Sequence, residues 1–326
     1  MKRILMPTFV VGLLLGLVSH TYAHIGDRLY PIFELTDADL EAIDLHDGST
    51  GNWLDIVGEP TLTAIEFSAH TALEPYDPAD MDFRIWLAWH DGTNRIYVAM
   101  EQADDIYINM FDSNIFEQSG MSGYDSSIRL SLDGDHSGGA YASLPCCSDE
   151  QAFEYARQAQ FYTAIGETIG EDPHVAISVL QLLNQLYEYG SWYTHPPYAD
   201  GGGGHFGENP VIAVTEFYVT PFDHMVWFSE EESLVSELSP GRIIGFKVRV
   251  VDTDDVEDSF AITFFTLPDI EDPTYEGASA DFFLDGLLLG PSGAIPEVED
   301  TAVESITWGR IKTSFRSLPN KEGGVP

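Results

Sequence analysis

Basic residues are scarce in this 326-residue chain: 14 Lys+Arg stand against 54 Asp+Glu, a formal net charge of −40 at a pI near 4.1. A polyanion of this size repels nucleic acid and anionic lipid surfaces, which excludes both as partners. Cysteine is nearly absent, with only the adjacent Cys146 and Cys147. Neighbouring cysteines cannot staple distant segments, so they read as small buried residues or free thiols, or as a strained vicinal bridge stiffening one turn. Beyond the first 23 residues no apolar run approaches the roughly 20 residues that a spanning helix needs. Catalytic motifs are missing as well: there is no G-x-S-x-G, no Walker loop, no H-E-x-x-H and no C-x-x-C. Among so many acids no glycosidase pair stands out from the rest. No segment recurs at the spacing of a solenoid or propeller.

The charge does not signal disorder, because 44% hydrophobic and 12% aromatic residues are enough to build a core. With 29 Gly, 18 Pro and many β-branched and aromatic runs, the composition favours an all-β domain with long loops. The start reads as a secretory leader: Lys2 and Arg3, an apolar stretch from Ile4 to Val18, then Thr21-Tyr22-Ala23. Cleavage after Ala23 is expected, delivering a secreted or periplasmic protein with no membrane span.

Period-2 alternation recurs along the chain. Thr61 to Phe67 alternates; Phe83, Ile85, Leu87 and Trp89 share one face of the next run, which turns at Asp91-Gly92 and returns over Arg95 to Glu101. Further strands are expected at Ile128–Leu132, Val211–Val219, Ile243–Val251, Phe260–Leu267, Asp281–Leu288 and Ser305–Lys312. About nine to eleven strands joined by turns describe a two-sheet antiparallel β-sandwich. A short helix is expected from Thr36, in an N-terminal segment 24–43 ahead of a sandwich over 44–318 and a tail at 319–326. An insertion at 148–210 reads as a helical hairpin followed by a loop. Ser148 and Gln151 form a capping box ahead of Tyr155, Ala159, Tyr162, Ile165 and Ile169, and Asp172-Pro173 opens a second helix ending at Gly190. From Tyr189 to Pro210 the run Gly201–Gly204 and Pro196-Pro197 argue for a surface loop.

Four stretches read together resemble family 9 carbohydrate-binding modules. They are IDLHDGSTGNW from Ile43 to Trp53; IWLAWHDG with RIYVA, from Ile85 to Ala99; LDGDHSGG from Leu132 to Gly139; and LSPGRIIGFKVRVVDTD from Leu238 to Asp254. The resemblance implies an antiparallel β-sandwich that binds sugars and commonly holds structural calcium. Sugar rings have apolar faces that stack on aromatics and hydroxyl edges that bond carboxylates and amides. The expected ligand-binding residues are therefore Trp86, Trp192, Tyr193, Tyr198, His205, Glu208 and Asn209. Trp89 and Trp53 read instead as core. Calcium takes six to eight oxygens, mainly carboxylate and carbonyl, and the expected donors are Asp133, Asp135, Asp252 and Asp254.

The expected function is non-catalytic recognition of a glycan. Three alternatives are an exported haem-binding sandwich with axial ligands among Met100, Met225, His224 and Lys247, a copper oxygenase built on His24 after cleavage, and a structural protein without a small ligand. The bland reading of His24 is a frayed terminus.

Overall fold

In the computed structural model the described residues are 28–70, 76–109, 124–141, 157–166, 176–179 (backbone only), 192–226, 229–255, 262–269, 279–291 and 293–294. The expected leader, the cysteine pair, His24 and the strand expected at Ser305–Lys312 lie outside them. The strands are β1 (Leu29–Glu34), β2 (Leu62–Thr63), β3 (Ser68–His70), β4 (Met81–His90), β5 (Arg95–Asp104), β6 (Ser127–Asp133), β7 (Gln160–Ile165) and β8 (Ala176–Val179). They continue as β9 (Ala199–Phe206), β10 (Val211–Val219), β11 (Phe222–His224), β12 (Leu234–Val235), β13 (Ile243–Thr253), β14 (Ile262–Leu267) and β15 (Leu284–Pro291). Two six-residue helices, α1 (Asp37–Ala42) and α2 (Gly51–Ile56), lie between β1 and β2.

One hydrogen-bonded sheet runs β8-β7-β6-β13-β15-β1-β4-β5-β10-β9, with β14 bridging β13 and β3, β2 on β4, and β11-β12 as a separate pair. The pairing is antiparallel except at β1, which lies parallel to both β15 and β4. The two halves fold face to face about β1, and the core fills the space between them. Edge-to-face contacts cross this space, Tyr30 to Phe246 at 5.5 Å and Phe83 to Phe265 at 5.6 Å. Tyr162 on β7 donates to the Thr220 carbonyl at 2.6 Å, tying the halves together at one end. The architecture is the expected β-sandwich, made from a single sheet bent on itself.

Alternation decides what each strand buries. Phe83, Ile85, Leu87 and Trp89 on β4 enter the core, and the Trp89 indole donates to the Leu289 carbonyl at 3.0 Å. The opposite row of the same half, with Trp86, Ala88, Tyr97, Ala99 and Tyr218, is buried too, beneath Leu35, Ile43 and Trp53. Thr36 caps α1, its hydroxyl accepting from the Asp39 amide while the Asp39 carboxylate accepts from the Thr36 amide. The helix expected at Thr36 is present.

The run expected to alternate from Thr61 to Phe67 is strand only at Leu62–Thr63 and turns at Ala64–Glu66, and two expectations for the insertion fail. Residues expected to form a helical hairpin include β7 and β8, which extend the sheet. Tyr162 and Ile165 of the expected helical spacing fall in a strand in which every residue is buried, and a run covered on both faces carries no period to tell the two apart; Tyr155 and Ile169 lie outside the described residues. The second correction is Gly201–Gly204, which is strand rather than loop: β9 pairs with β10 from Ile212↔Phe206 to Val219↔Ala199.

The absence of side chains is what allows another segment to lie on this edge strand. A Cβ on Gly202 would stand 2.7 Å from the Leu45 carbonyl oxygen and the His46 Cα. Gly202→Ala is expected to cost about 1–3 kcal/mol, because backbone rather than a yielding side chain blocks the new methyl. A urea midpoint equal to that of the parent protein would refute this. Among the described residues no helix is long and apolar enough to cross a membrane.

Candidate cation centre and the aromatic tip beside it

At one end of the sandwich, strand ends from three places bring carboxylates together. Asp104 closes β5, Asp125 precedes β6, and Asp252 lies near the end of β13. Their carboxylate oxygens fall within 4.8 Å of one another, all three are buried, and a second group of Asp80, Asp105 and Asp254 lies at the same end, more exposed. The centre is built by register. Asp104 falls opposite Val211 at the start of β10, and the Thr253 amide donates to Asp125 at 3.0 Å.

The hydrogen bonds supplied within the chain do not neutralise this charge. Gln102 gives one amide group to Asp104 at 2.7 Å and to Asp125 at 3.2 Å. The Ile106 amide donates to Asp104 and the Ile108 amide to Asp125, at 3.0 and 2.6 Å. Asp252 Oδ1 is buried with no hydrogen-bond partner, and so is Asp254 Oδ1. Burial pushes the Asp104 carboxyl up to about 7, and Asp254 and Asp105 add repulsion. Asp252 is pushed up to about 8 by burial, then by Asp104 and Asp254. Burial, then Asp104, holds Asp125 well above the usual carboxylate range. Three desolvated acids with one orphaned oxygen offer the kind of oxygen donors that a hard divalent cation takes.

The same amides pin the segment after β5. Between Ile106 and Ile108 lies Tyr107, whose hydroxyl meets Ser126 Oγ at 2.9 Å and whose ring stacks at a tilt on His205, 5.2 Å between centroids. His205 and Phe206 end β9 on opposite faces of that edge strand. Phe206 is 58% exposed, and among the described residues it is the only aromatic more than about one-third open. Glu208 and Asn209 are exposed in the turn that follows.

The residues expected from the sequence are thus dispersed. Trp86 is 1% exposed, with its indole donating to the Gly58 carbonyl at 2.9 Å, and Tyr193 is fully buried; neither offers a ring face to a ligand. At the far end of β9, Trp192 packs against Tyr193, Tyr198 and Phe222 at 5.2, 4.9 and 5.6 Å. The Tyr198 hydroxyl there donates to Glu230. Only His205, Glu208 and Asn209 gather near the acid centre.

The expected metal donors divide in the same way. Asp252 and Asp254 join the two acid groups. Asp133 and Asp135 lie at the opposite end of β6, in a turn where Asp133 accepts from the Ser137 and Gly138 amides at 3.2 and 2.7 Å. Asp80, Asp104, Asp105 and Asp125 were missed, although the alternation of Gln102 and Asp104 on the core-facing row of β5 was a usable sign. Of the expected haem ligands, Met100 and Met225 are core side chains, while Lys247 lies on the outer face of β13.

A second buried acid lies under the helices. Glu216 on β10 is 1% exposed, its Oε1 accepting from the Trp53 indole at 2.7 Å and its Oε2 without a partner. Burial pushes it up to about 8, against the lowering effect of the Trp53 hydrogen bond.

No protein-family model matches the sequence, and no curated protein matches it. Among solved structures the chain is similar to a family 9 carbohydrate-binding module from Caldicellulosiruptor kristjanssonii in complex with glucose. That match has 13% identity, 82% of this chain and 99% of that one covered, and a TM-score of 0.46. The same module in complex with cellotriose matches at 13% identity, 81% and 95% coverage, and a TM-score of 0.44. A putative carbohydrate-binding protein from Bacteroides uniformis ATCC 8492 matches at 10% identity, 80% and 99% coverage, and a TM-score of 0.36.

Proposed function

We propose that this protein is a non-catalytic carbohydrate-binding β-sandwich, exported through its N-terminal leader, whose sugar site is the tip formed by Tyr107, His205, Phe206, Glu208 and Asn209. The observation that carries this reading is the open Phe206 ring, standing beside carboxylate and amide groups at a strand end. Such a ring stacks on the apolar face of a pyranose, while Glu208 and Asn209 meet its hydroxyls. The four ordered sequence stretches support the same reading.

Asp104, Asp125 and Asp252 would hold a calcium ion, with Asp80, Asp105 and Asp254 adding oxygen donors above it. The orphaned Asp252 oxygen and the raised carboxyls fit that group. A bound cation supplies charge neutralisation. The chain itself does the positioning: Ile106 and Ile108 hold their amides on Asp104 and Asp125, and so set Tyr107 against His205.

Calorimetric titration with glucose, cellotriose and a wider oligosaccharide panel, in calcium, is the test. Saturable binding is expected, and Phe206→Ala is expected to weaken it about threefold to tenfold, as loss of an aromatic stack should. No binding across the panel, or unchanged affinity in Phe206→Ala, would refute the site.

A further inference from the structure

Of the few basic residues in this chain, three gather on the outer face of the β6–β13 pair. Arg249 stands opposite Arg129, and Lys247 opposite Ser131. Along β13, Phe246, Val248 and Val250 enter the core, so Lys247 and Arg249 point the other way. Like charges directly opposite each other weaken strand pairing. Lys247 adds a larger cost: it is 6% exposed, and none of the described residues pairs with its ammonium. Burial, then Arg249 and Arg129, pull its pKa down to about 7.

The surroundings hold the cations in place. Arg129 rests over the Phe161 ring at 4.2 Å and Arg249 over the Phe264 ring at 4.9 Å, which orients both guanidinium planes. Ser131, beside Lys247 by register, is buried with its Oγ 3.5 Å from the Tyr141 hydroxyl, and Arg249 Nε donates to Thr266 Oγ1 at 3.3 Å. Thr163 lies opposite Arg129 with its buried Oγ1 unpartnered. The acids nearest along the register, Asp133 and Asp285 opposite Gly245, are engaged elsewhere. Asp133 accepts the Ser137 and Gly138 amides, and Asp285 meets His136 at 2.9 Å.

We propose that this face is an oxyanion site, in which the Lys247 ammonium and the Thr163 hydroxyl, flanked by the Arg129 and Arg249 guanidinium groups, receive one sulfate, phosphate or carboxylate group. A guanidinium offers paired N–H donors that match two oxygens of such a group, and the ammonium adds a point charge. The bound anion offsets the positive charge crowded here and satisfies the Lys247 ammonium and the Thr163 hydroxyl, which have no partner among the described residues. This site is separate from the sugar-binding tip and does not depend on it.

The test is thermal unfolding at neutral pH and fixed calcium, with sodium sulfate or phosphate set against sodium chloride of equal ionic strength. A second arm adds a uronic-acid oligosaccharide, which separates a free oxyanion from one carried on a glycan. At tenfold excess over the dissociation constant the melting temperature of the parent protein should rise by about 3–6 °C. Lys247→Met, of similar length and without charge, should fold and lose that rise in whichever arm shows it. Arg129→Gln serves as an independent second variant with the same expected loss. No rise in either arm, or a rise equal in the parent and both variants, overturns the proposal.

Discussion

Chelation of divalent cations at pH 8 is expected to lower the melting temperature by about 5–10 °C. A cation at a hundredfold excess over its dissociation constant contributes about 2.7 kcal/mol by mass action, and each kcal/mol moves a chain of this size by about 2–4 °C. The pH dependence has a definite sign. Asp104 and Asp252, at about 7 and about 8, bind protons more tightly folded than unfolded. Their favourable contribution is therefore complete below pH 4 and is lost as the pH rises toward 8. The metal-free protein should lose stability across that window, and the gap between loaded and chelated protein should widen with pH. Asp252→Asn should remove most of the calcium response while raising the melting temperature of the chelated protein at pH 8, because it deletes a repelling charge. Identical melts with and without chelator at pH 8 would show that the centre binds no cation.

The second large effect is expected at Trp53. Trp53→Ala removes a fully buried ring from beneath the helices and should cost about 3–5 kcal/mol. Trp53→Phe keeps most of the packing but removes the indole donor to Glu216. Its cost should be about 1–3 kcal/mol, the range for a hydrogen bond to a charged or buried acceptor. The Glu216 carboxyl, at about 8, is raised relative to the unfolded chain, so its favourable contribution is lost as the pH climbs from about 4.5 to 8. The indole offsets part of that loss, and Trp53→Phe should therefore be more damaging at pH 9 than at pH 5. Glu216→Gln should flatten this dependence. Denaturant unfolding of the two single variants and the double variant at both pH values measures the coupling, and independent, pH-invariant effects would disprove it.

Much of the sandwich was legible because half-buried strands carry their own periodicity. β4, β5, β10 and β13 fall close to their expected bounds, and Phe83, Ile85, Leu87 and Trp89 face the core as their spacing required. What misled was covering on both faces. Trp86 lies on the row opposite Trp89, which alternation alone assigns to solvent; α2 and the segment around Ile43 cover it instead. β7 is buried on both sides and has no period to read. Gly201–Gly204 has low strand propensity, yet it forms an edge strand because the 45–48 segment needs a surface without side chains to rest against.

The candidate sites divide along the same line. Composition by itself established the polyanion, the lack of a disulfide framework, the all-β class and an abundance of acids at strand ends, since these depend only on which residues are present and at what local spacing. Which acids meet was decided by tertiary structure. Asp104, Asp125 and Asp252 are far apart in the chain, and antiparallel register and the folding of the two halves about β1 bring their oxygens within 4.8 Å. Asp133 and Asp135 looked equivalent in sequence, but β6 carries them to the opposite end, where local amides bind Asp133. Burial, with Oδ1 of Asp252 left unpaired, turns one group of three acids among many into a centre suited to a cation, and no local pattern encodes burial of that kind.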